Sequence, residues 1–168
     1  METILKRHSI RQYTDQAIPE ELITGLLEAG MCAPSAGNER PWHFIVITQR
    51  NLLISITEFH QHAQMLKQAP VAIIVCADLT TDKYPGMKYW IQDCSAATEN
   101  ILLAAQDKGL GTCWIAVYPR EDRIAGMRNL LGLPEHVMPI SAIAVGYPSK
   151  TKSAGSRYDD SRVHRNHW

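Results

Sequence analysis

Residues 70–77 read Pro-Val-Ala-Ile-Ile-Val-Cys-Ala, a run with no charged side chain and with four β-branched residues. A short apolar run of this kind predicts a β-strand that is buried on both of its faces. Three further segments rich in β-branched residues are predicted strands, at residues 43–48, 112–118 and 138–147. Together the four strands indicate a layered domain built around one sheet.

The segments between these strands have helical patterns. Pro19 is followed by two glutamates, which predicts a helix start, and small turn-forming residues predict that this helix stops near Gly30. The predicted helices are residues 19–30, 51–67 in two short pieces, 87–108 (the longest), and 119–132. Because helices and strands are too unevenly spaced for a regular βαβ repeat, we predict an α+β (mixed α/β) fold, with residues 1–168 as a single domain.

The composition excludes several classes of protein. Of 168 residues, 45% are hydrophobic and 20% charged, and 17 basic residues balance 17 acidic ones. This balance gives no electrostatic reason to expect binding to nucleic acid or to an anionic membrane. We expect a cytoplasmic protein, because no apolar leader follows Met1 and no apolar stretch is long enough to span a bilayer. Four widely spaced cysteines are expected to be reduced packing residues: Cys32, Cys76, Cys94 and Cys113.

Common catalytic and metal-binding motifs are absent from the sequence. Gly109-Leu110-Gly111 follows a predicted helix, so it is not a dinucleotide-binding turn, which would follow a strand. The pairs His60-x-His62 and His164-x-x-His167 lack a third ligand at useful spacing. We interpret these histidines as surface or packing residues and predict no metal site.

Arg7-His8-Ser9-Ile10-Arg11 is a basic cluster near the N-terminus. In an extended backbone, residues 7, 9 and 11 face the same side. Two guanidinium groups and a hydroxyl group are suitable donors for a phosphate monoester. The alternative is a solvated basic start to the domain.

A second unusual segment is the loop Pro34-Ser35-Ala36-Gly37-Asn38-Glu39-Arg40-Pro41-Trp42. Its small residues allow a flat ligand to approach the backbone closely, and the side chain of Asn38 both donates and accepts hydrogen bonds. A structural turn before a strand is the other interpretation.

The chain ends in a basic tail that contains Arg157 and finishes with Val-His-Arg-Asn-His-Trp at residues 163–168. A terminal tryptophan gains stability when it is buried. A partner subunit is the expected place for it, and folding back on its own domain is the alternative.

In order and spacing, these segments resemble the nitroreductase family of FMN-dependent oxidoreductases. The resemblance rests on the opening Arg-x-Ser-x-Arg, the Ala-Pro-Ser-Ala-Gly-Asn…Pro-Trp-x-Phe loop and the Gly-Leu-Gly-Thr-Cys-Trp segment. It continues through Gly146-Tyr147-Pro148 to an arginine before the terminal Val-His…Trp, and so covers nearly the whole chain.

The resemblance implies a homodimer with two FMN molecules at the subunit interface, C-terminal tails that embrace the neighbouring subunit, and the longest helix at the dimer contact. It places Arg7, Ser9 and Arg11 on the FMN phosphate and ribityl chain with His8 beside them, and Arg157 in the same phosphate site. It also implies that Pro34, Ser35, Ala36 and Asn38 reach the flavin from the other subunit.

The segment Trp114-Ile115-Ala116-Val117 corresponds to the one along the isoalloxazine edge. A backbone N–H of Ala116 or Val117 is then expected to point towards flavin N5. No catalytic side chain is expected, because orientation and electrostatics carry this chemistry. The residue that contacts the flavin from the region after the first strand stays open between Gln61, His62 and Gln64.

The activity implied is ping-pong transfer of hydride from NADH or NADPH through flavin N5 to a flat acceptor such as a nitroaromatic or a quinone. Alternatives are a flavin sensor or FMN reservoir with little turnover, and specialised flavin fragmentation or dehalogenation. The specialised reactions need a lid over the substrate, whereas the loop at residues 79–86 is short. Roles in aromatic stacking or in packing stay open for Tyr84, Tyr89 and Trp90.

Overall fold

A computed structural model describes residues 1–150, 155 and 157–168. Its helices are α1 (Glu2–Lys6), α2 (Glu20–Met31), α3 (Arg50–Phe59), α4 (Tyr89–Asp107) and α5 (Glu121–Leu131). Its strands are β1 (Trp42–Ile47), β2 (Val71–Asp78), β3 (Gly111–Ala116) and β4 (Val137–Gly146). Short 3₁₀ turns lie at Ala36–Asn38, Gln61–Lys67, Leu79–Thr81 and Asp160–Arg162. The predicted α+β class is confirmed, as a sheet with helices on both faces.

The four strands form one antiparallel sheet in the order β1-β2-β4-β3. The strands β2 and β4 are central, so their backbone groups are paired on both sides, whereas β1 and β3 are edge strands. A bulge interrupts the register between Val75 and Cys76 in β2. Because β3 pairs with β4 on one side only, the backbone groups on its other side can bond to other parts of the chain.

Alternate residues of β2 belong to two different hydrophobic cores. Ile73 and Val75 pack on the face covered by α2 and α4, and Ile74 and Cys76 pack on the face covered by α3 and α5. All of these side chains are fully buried. The apolar run at residues 70–77 therefore has the burial on both faces that its composition predicts.

The structure differs from the predicted helices at two places. The short helix α1 was not predicted, because its five residues are too few to show an apolar periodicity. None of them is buried. Gly30 does not end α2 but lies within it, since Cys32 is the C-cap. A Cβ at Gly30 would lie 3.0 Å from atoms of both Ile101 and Phe44, so this glycine allows α2 to pack closely on the core.

None of the helices in the part of the chain described here is long and apolar enough to cross a membrane.

Candidate functional site

The N-terminal segment after α1 is fixed along β3 and the end of β4. Ile10 donates its backbone N–H to Thr112 O at 2.8 Å, and Thr14 donates to Tyr147 O at 2.9 Å. The side chain of Tyr13 is buried, and its hydroxyl group donates to Ile10 O at 2.7 Å. These contacts hold the backbone on both sides of Arg11, whose side chain is exposed.

A cavity of about 660 Å³ lies next to this segment, in the size range of small-molecule sites. It is bounded by the N-terminal segment, the 3₁₀ turn that follows α3, the open side of β3 and the first turn of α5. Its lining residues are Arg11, Gln12, His60, Gln61, His62, Gln64, Met65, Gln68, Cys113, Trp114, Ile115, Ala116 and Arg123. They include two arginines and no carboxylate, so the cavity has the charge that an anionic ligand requires.

The hydrogen-bond pattern of β3 decides which of its amides faces outwards. Val117 donates its N–H to Ile140 O at 3.1 Å. Because bonded and non-bonded pairs alternate in an antiparallel ladder, the amide of Ala116, which stands opposite Ser141, points to the open side. The Val117 amide, expected from the sequence as an alternative donor, already has this backbone partner and is buried. Of these two amides, the Ala116 amide is therefore the one that points to the open side of β3.

The basic cluster at residues 7–11 is divided between different neighbours. Of these residues only Arg11 lines the cavity. The guanidinium group of Arg7 is mostly buried and lies 3.5 Å from the carboxylate of Glu99 on α4. His8 Nδ1 lies 2.6 Å from Lys6 O, and Ser9 forms a bridge with Thr112 of β3.

The loop at residues 34–42 lies beside α4, and hydrogen bonds hold it in a turn. Ala36 donates its N–H to Asp93 Oδ1 at 3.0 Å, and Arg40 donates its N–H to Ser35 Oγ at 2.9 Å. The side chain of Arg40 reaches back to Asn38 Oδ1 at 3.0 Å. Pro34 and Asn38 are exposed. None of the loop residues lines the cavity of the same chain.

Asp93 supports this loop from α4 and was not predicted as a site residue. Its side chain is 5% exposed, and its second oxygen, Oδ2, has no hydrogen-bond partner among the described residues. Burial raises the pKa of this carboxyl group. Nothing in the sequence distinguishes Asp93 from a surface acid on a helix, because its partner is 57 positions away.

The C-terminal tail lies outside the core wherever the structure describes it. Arg157 is exposed, as are Val163 at 43% and Trp168 at 101%. The ring of Trp168 stacks only locally, on His164, with 4.3 Å between the ring centroids. The large apolar side chains of the described tail are therefore exposed in the single chain, and Arg157 does not line the cavity.

Gln61, His62 and Gln64 all line the cavity, so the structure does not separate them. Gln64 Nε2 donates to Thr57 O at 3.1 Å, and Gln61 Nε2 lies 3.2 Å from His62 Nε2.

The three aromatic residues left open have different surroundings. Trp90 is buried against Tyr118 with 5.1 Å between ring centroids, which is core packing. Tyr84 and Tyr89 form an edge-to-face pair at 5.5 Å, and Tyr84 is 43% exposed beside Gly37 of the loop.

No group of three or more His, Cys, Asp or Glu side chains among the described residues is arranged to hold a metal ion. His60 is buried beside the end of β3. Its Nε2 lies 2.9 Å from Ala116 O, and a carbonyl oxygen only accepts, so Nε2 carries the proton. Arg123 Nη1 donates to the same oxygen at 2.8 Å. Nothing in the sequence distinguishes Arg123 from the other charged residues of α5.

Comparison with known proteins identifies the family to which the chain belongs. The chain matches the family model described as the nitroreductase family over residues 4–63 and 55–147. It is 51% identical over 168 residues to a protein of Methanothermobacter thermautotrophicus named "Putative NADH dehydrogenase/NAD(P)H nitroreductase", covering 100% of this chain and 87% of the relative.

Two solved structures are also similar. An FMN-dependent nitroreductase from Clostridium difficile R20291 has a TM-score of 0.91 and 32% identity, with 100% of both chains covered. A structure from Desulfovibrio desulfuricans, solved in complex with FMN, has a TM-score of 0.83 and 28% identity, covering 99% of this chain and 96% of that one. With the family model spanning most of the residues, the chain belongs to the nitroreductase family.

Proposed function

We propose that residues 1–168 form one FMN-binding domain, and that two copies make a homodimeric oxidoreductase. It takes hydride from NADH or NADPH and passes it through FMN to a flat electrophilic acceptor such as a nitroaromatic or a quinone, in a ping-pong cycle. The observation that carries the proposal is the cavity beside β3, which joins Arg11 to the open backbone edge at residues 114–116 and contains no carboxylate.

The residues of the cavity suit both ends of FMN. The guanidinium group of Arg11 provides a charge-assisted donor for a phosphate, and the flat ring system fits along the extended backbone of β3. Arg7, His8, Ser9 and Arg157 complete the phosphate and ribityl contacts in this proposal. Bound FMN supplies an N5 atom that accepts and releases hydride.

The chain's own contribution is orientation and charge. In this proposal the amide of Ala116 would donate a hydrogen bond towards N5 of FMN, and Trp114 and Ile115 would lie along the edge of the ring. A fixed donor at this position stabilises negative charge on the reduced ring without any reorganisation of the protein. No proton-transferring side chain is required for hydride transfer itself.

The second half of each site comes from the partner subunit. The loop residues Pro34, Ser35, Ala36 and Asn38 lie away from the cavity of their own chain, so they serve the site of the other copy. In this proposal the exposed tail stabilises the dimer, because Val163 and Trp168 are buried against that copy.

The first experiment is an anaerobic visible absorption spectrum of the purified protein before and after addition of NADPH, and then NADH. We expect bound flavin that bleaches quickly with at least one donor, which also identifies the donor. Flavin that stays oxidised with both donors would favour the sensor, the reservoir or the specialised flavin chemistry. A colourless protein that takes up no added FMN would refute the proposal.

A further inference from the structure

The carbonyl group of Ala116 is a point where three elements meet. His60, which follows α3, donates to its oxygen from Nε2 at 2.9 Å, and Arg123 of α5 donates from Nη1 at 2.8 Å. The next residue, Val117, is held from the other side through Ile140 of β4. The end of an edge strand, which is often loosely held, is therefore tied on both sides at the wall of the cavity.

His60 is an unusual donor for a surface cavity because its side chain is 1% exposed. Burial lowers its pKa, so the imidazole is neutral at neutral pH. Its Nδ1 has no hydrogen-bond partner among the described residues, and the contact with Ala116 O fixes the proton on Nε2. The ring therefore acts as a fixed neutral donor and contributes no charge.

Arg123 contributes the charge. Its neighbour Asp122 is engaged by Arg120 through two hydrogen bonds of 3.0 and 3.1 Å. No carboxylate pairs with Arg123 in the part of the chain that the structure describes. Glu58 and Asp122 line an adjoining recess of about 370 Å³ that shares Arg123, yet the guanidinium group is directed to Ala116 O.

Resting on the function proposed above, we propose that Arg123 and His60 are positioning residues of the hydride-transfer site. They hold Ala116 in place, and the positive charge of Arg123 beside that peptide makes reduced FMN bind more tightly than oxidised FMN. A fixed positive charge favours the reduced, negatively charged ring and so raises the reduction potential of the bound cofactor. This assignment gives a role to α5, which supplies none of the residues in the family motifs above.

The test compares Arg123→Gln with the matched control Arg128→Gln, which removes the same charge from the same helix at a residue that also donates to backbone carbonyl groups and does not line the cavity. For each protein, the dissociation constant of oxidised FMN and the midpoint potential of the bound FMN are measured. We expect Arg123→Gln to lose roughly ten-fold in its preference for reduced FMN, a midpoint potential lower by about 30 mV for a two-electron couple. The control should keep the wild-type potential, and Arg123→Lys should restore most of the loss.

His60 provides a second, independent comparison. His60→Gln retains a neutral N–H donor, whereas His60→Phe fills the site without one. We expect the midpoint potential of His60→Phe to fall below that of His60→Gln, because only the glutamine side chain can still donate to Ala116 O and hold Ala116 in place. If Arg123→Gln fails to fold or to bind FMN, the difference in midpoint potential between the two His60 variants tests the proposal.

The outcomes separate the two proposals. Wild-type protein that binds no FMN would refute the proposed function. FMN bound normally with an unchanged potential in Arg123→Gln, or with equal potentials in the two His60 variants, would overturn this inference and leave the proposed function standing.

Discussion

Arg7 and Arg11 are four positions apart in the chain, but the fold gives them different environments. Arg11 lines the cavity, whereas Arg7 lies 3.5 Å from Glu99 of α4. An ion pair with a carboxylate offsets part of the charge that Arg7 offers to a phosphate. Within one chain, therefore, Arg11 is the residue of the cluster with the most direct access to an anionic ligand.

Substitution of Arg11 tests this assignment at the scale of one residue. We expect Arg11→Ala to weaken FMN binding by about 1.5–3 kcal/mol, because the phosphate loses charge-assisted hydrogen bonds. Fluorescence titration of the apoprotein with FMN measures the loss, and Arg120→Ala serves as the control because Arg120 pairs with Asp122 outside the cavity. Equal affinity for Arg11→Ala and the wild type would remove Arg11 from the site.

At the scale of elements, α3 and α5 bring His60 and Arg123 to the same carbonyl oxygen. Phe59 ends α3 immediately before His60, and Gly126 lies one turn after Arg123 in α5. A Cβ built at Gly126 would overlap the ring of Phe59. The absence of a side chain at Gly126 therefore lets the two helices approach closely enough for both donors to reach Ala116.

Two glycine substitutions within helices separate packing from helix propensity. Gly126→Ala should lower the free energy of unfolding by about 1–3 kcal/mol, because the ring of Phe59 must move. Gly25→Ala in α2 should raise it by about 0.5–1 kcal/mol, because nothing lies within 4 Å of its Cβ and alanine favours a helix. Urea unfolding at one fixed protein concentration measures both changes, and an equal gain in both variants would contradict the proposed contact.

At the scale of the whole molecule, the expected FMN contacts fall into two groups. Arg11 and the edge of β3 border the cavity, whereas the loop at residues 34–38 and the tail from Arg157 onwards are not part of its lining. A site that uses all of them is complete only when a second copy of the chain supplies the missing group.

We therefore expect sedimentation equilibrium to give twice the mass of one chain. Deletion of residues 159–168 should weaken the dimer and release FMN together, because it removes Val163 and Trp168, the exposed apolar side chains that we expect the partner subunit to bury. The substitution Trp168→Ala should have the same effect in smaller measure. A monomeric wild-type protein that retains FMN would contradict a site shared between subunits.

The sequence by itself determined the four strands, the longer helices and the family of this protein. The apolar run at residues 70–77 predicted a strand buried on both faces, and the predicted positions of the three other strands are also confirmed within two residues. The reason is that hydrophobic periodicity and turn-forming residues act over a few positions of the chain. The family motifs likewise occupy short continuous segments, which a single sequence displays in full.

Tertiary structure alone decided how distant residues meet. The sheet order places β3 at an edge of the sheet. Because hydrogen bonds alternate along β3, the Val117 amide donates to Ile140 O, whereas the Ala116 amide points to the open side. The same is true of the buried His60, of Arg123, and of Asp93 beneath the loop. Each is an ordinary polar residue in its local sequence, and its role arises from a partner brought close only when helices pack on the sheet.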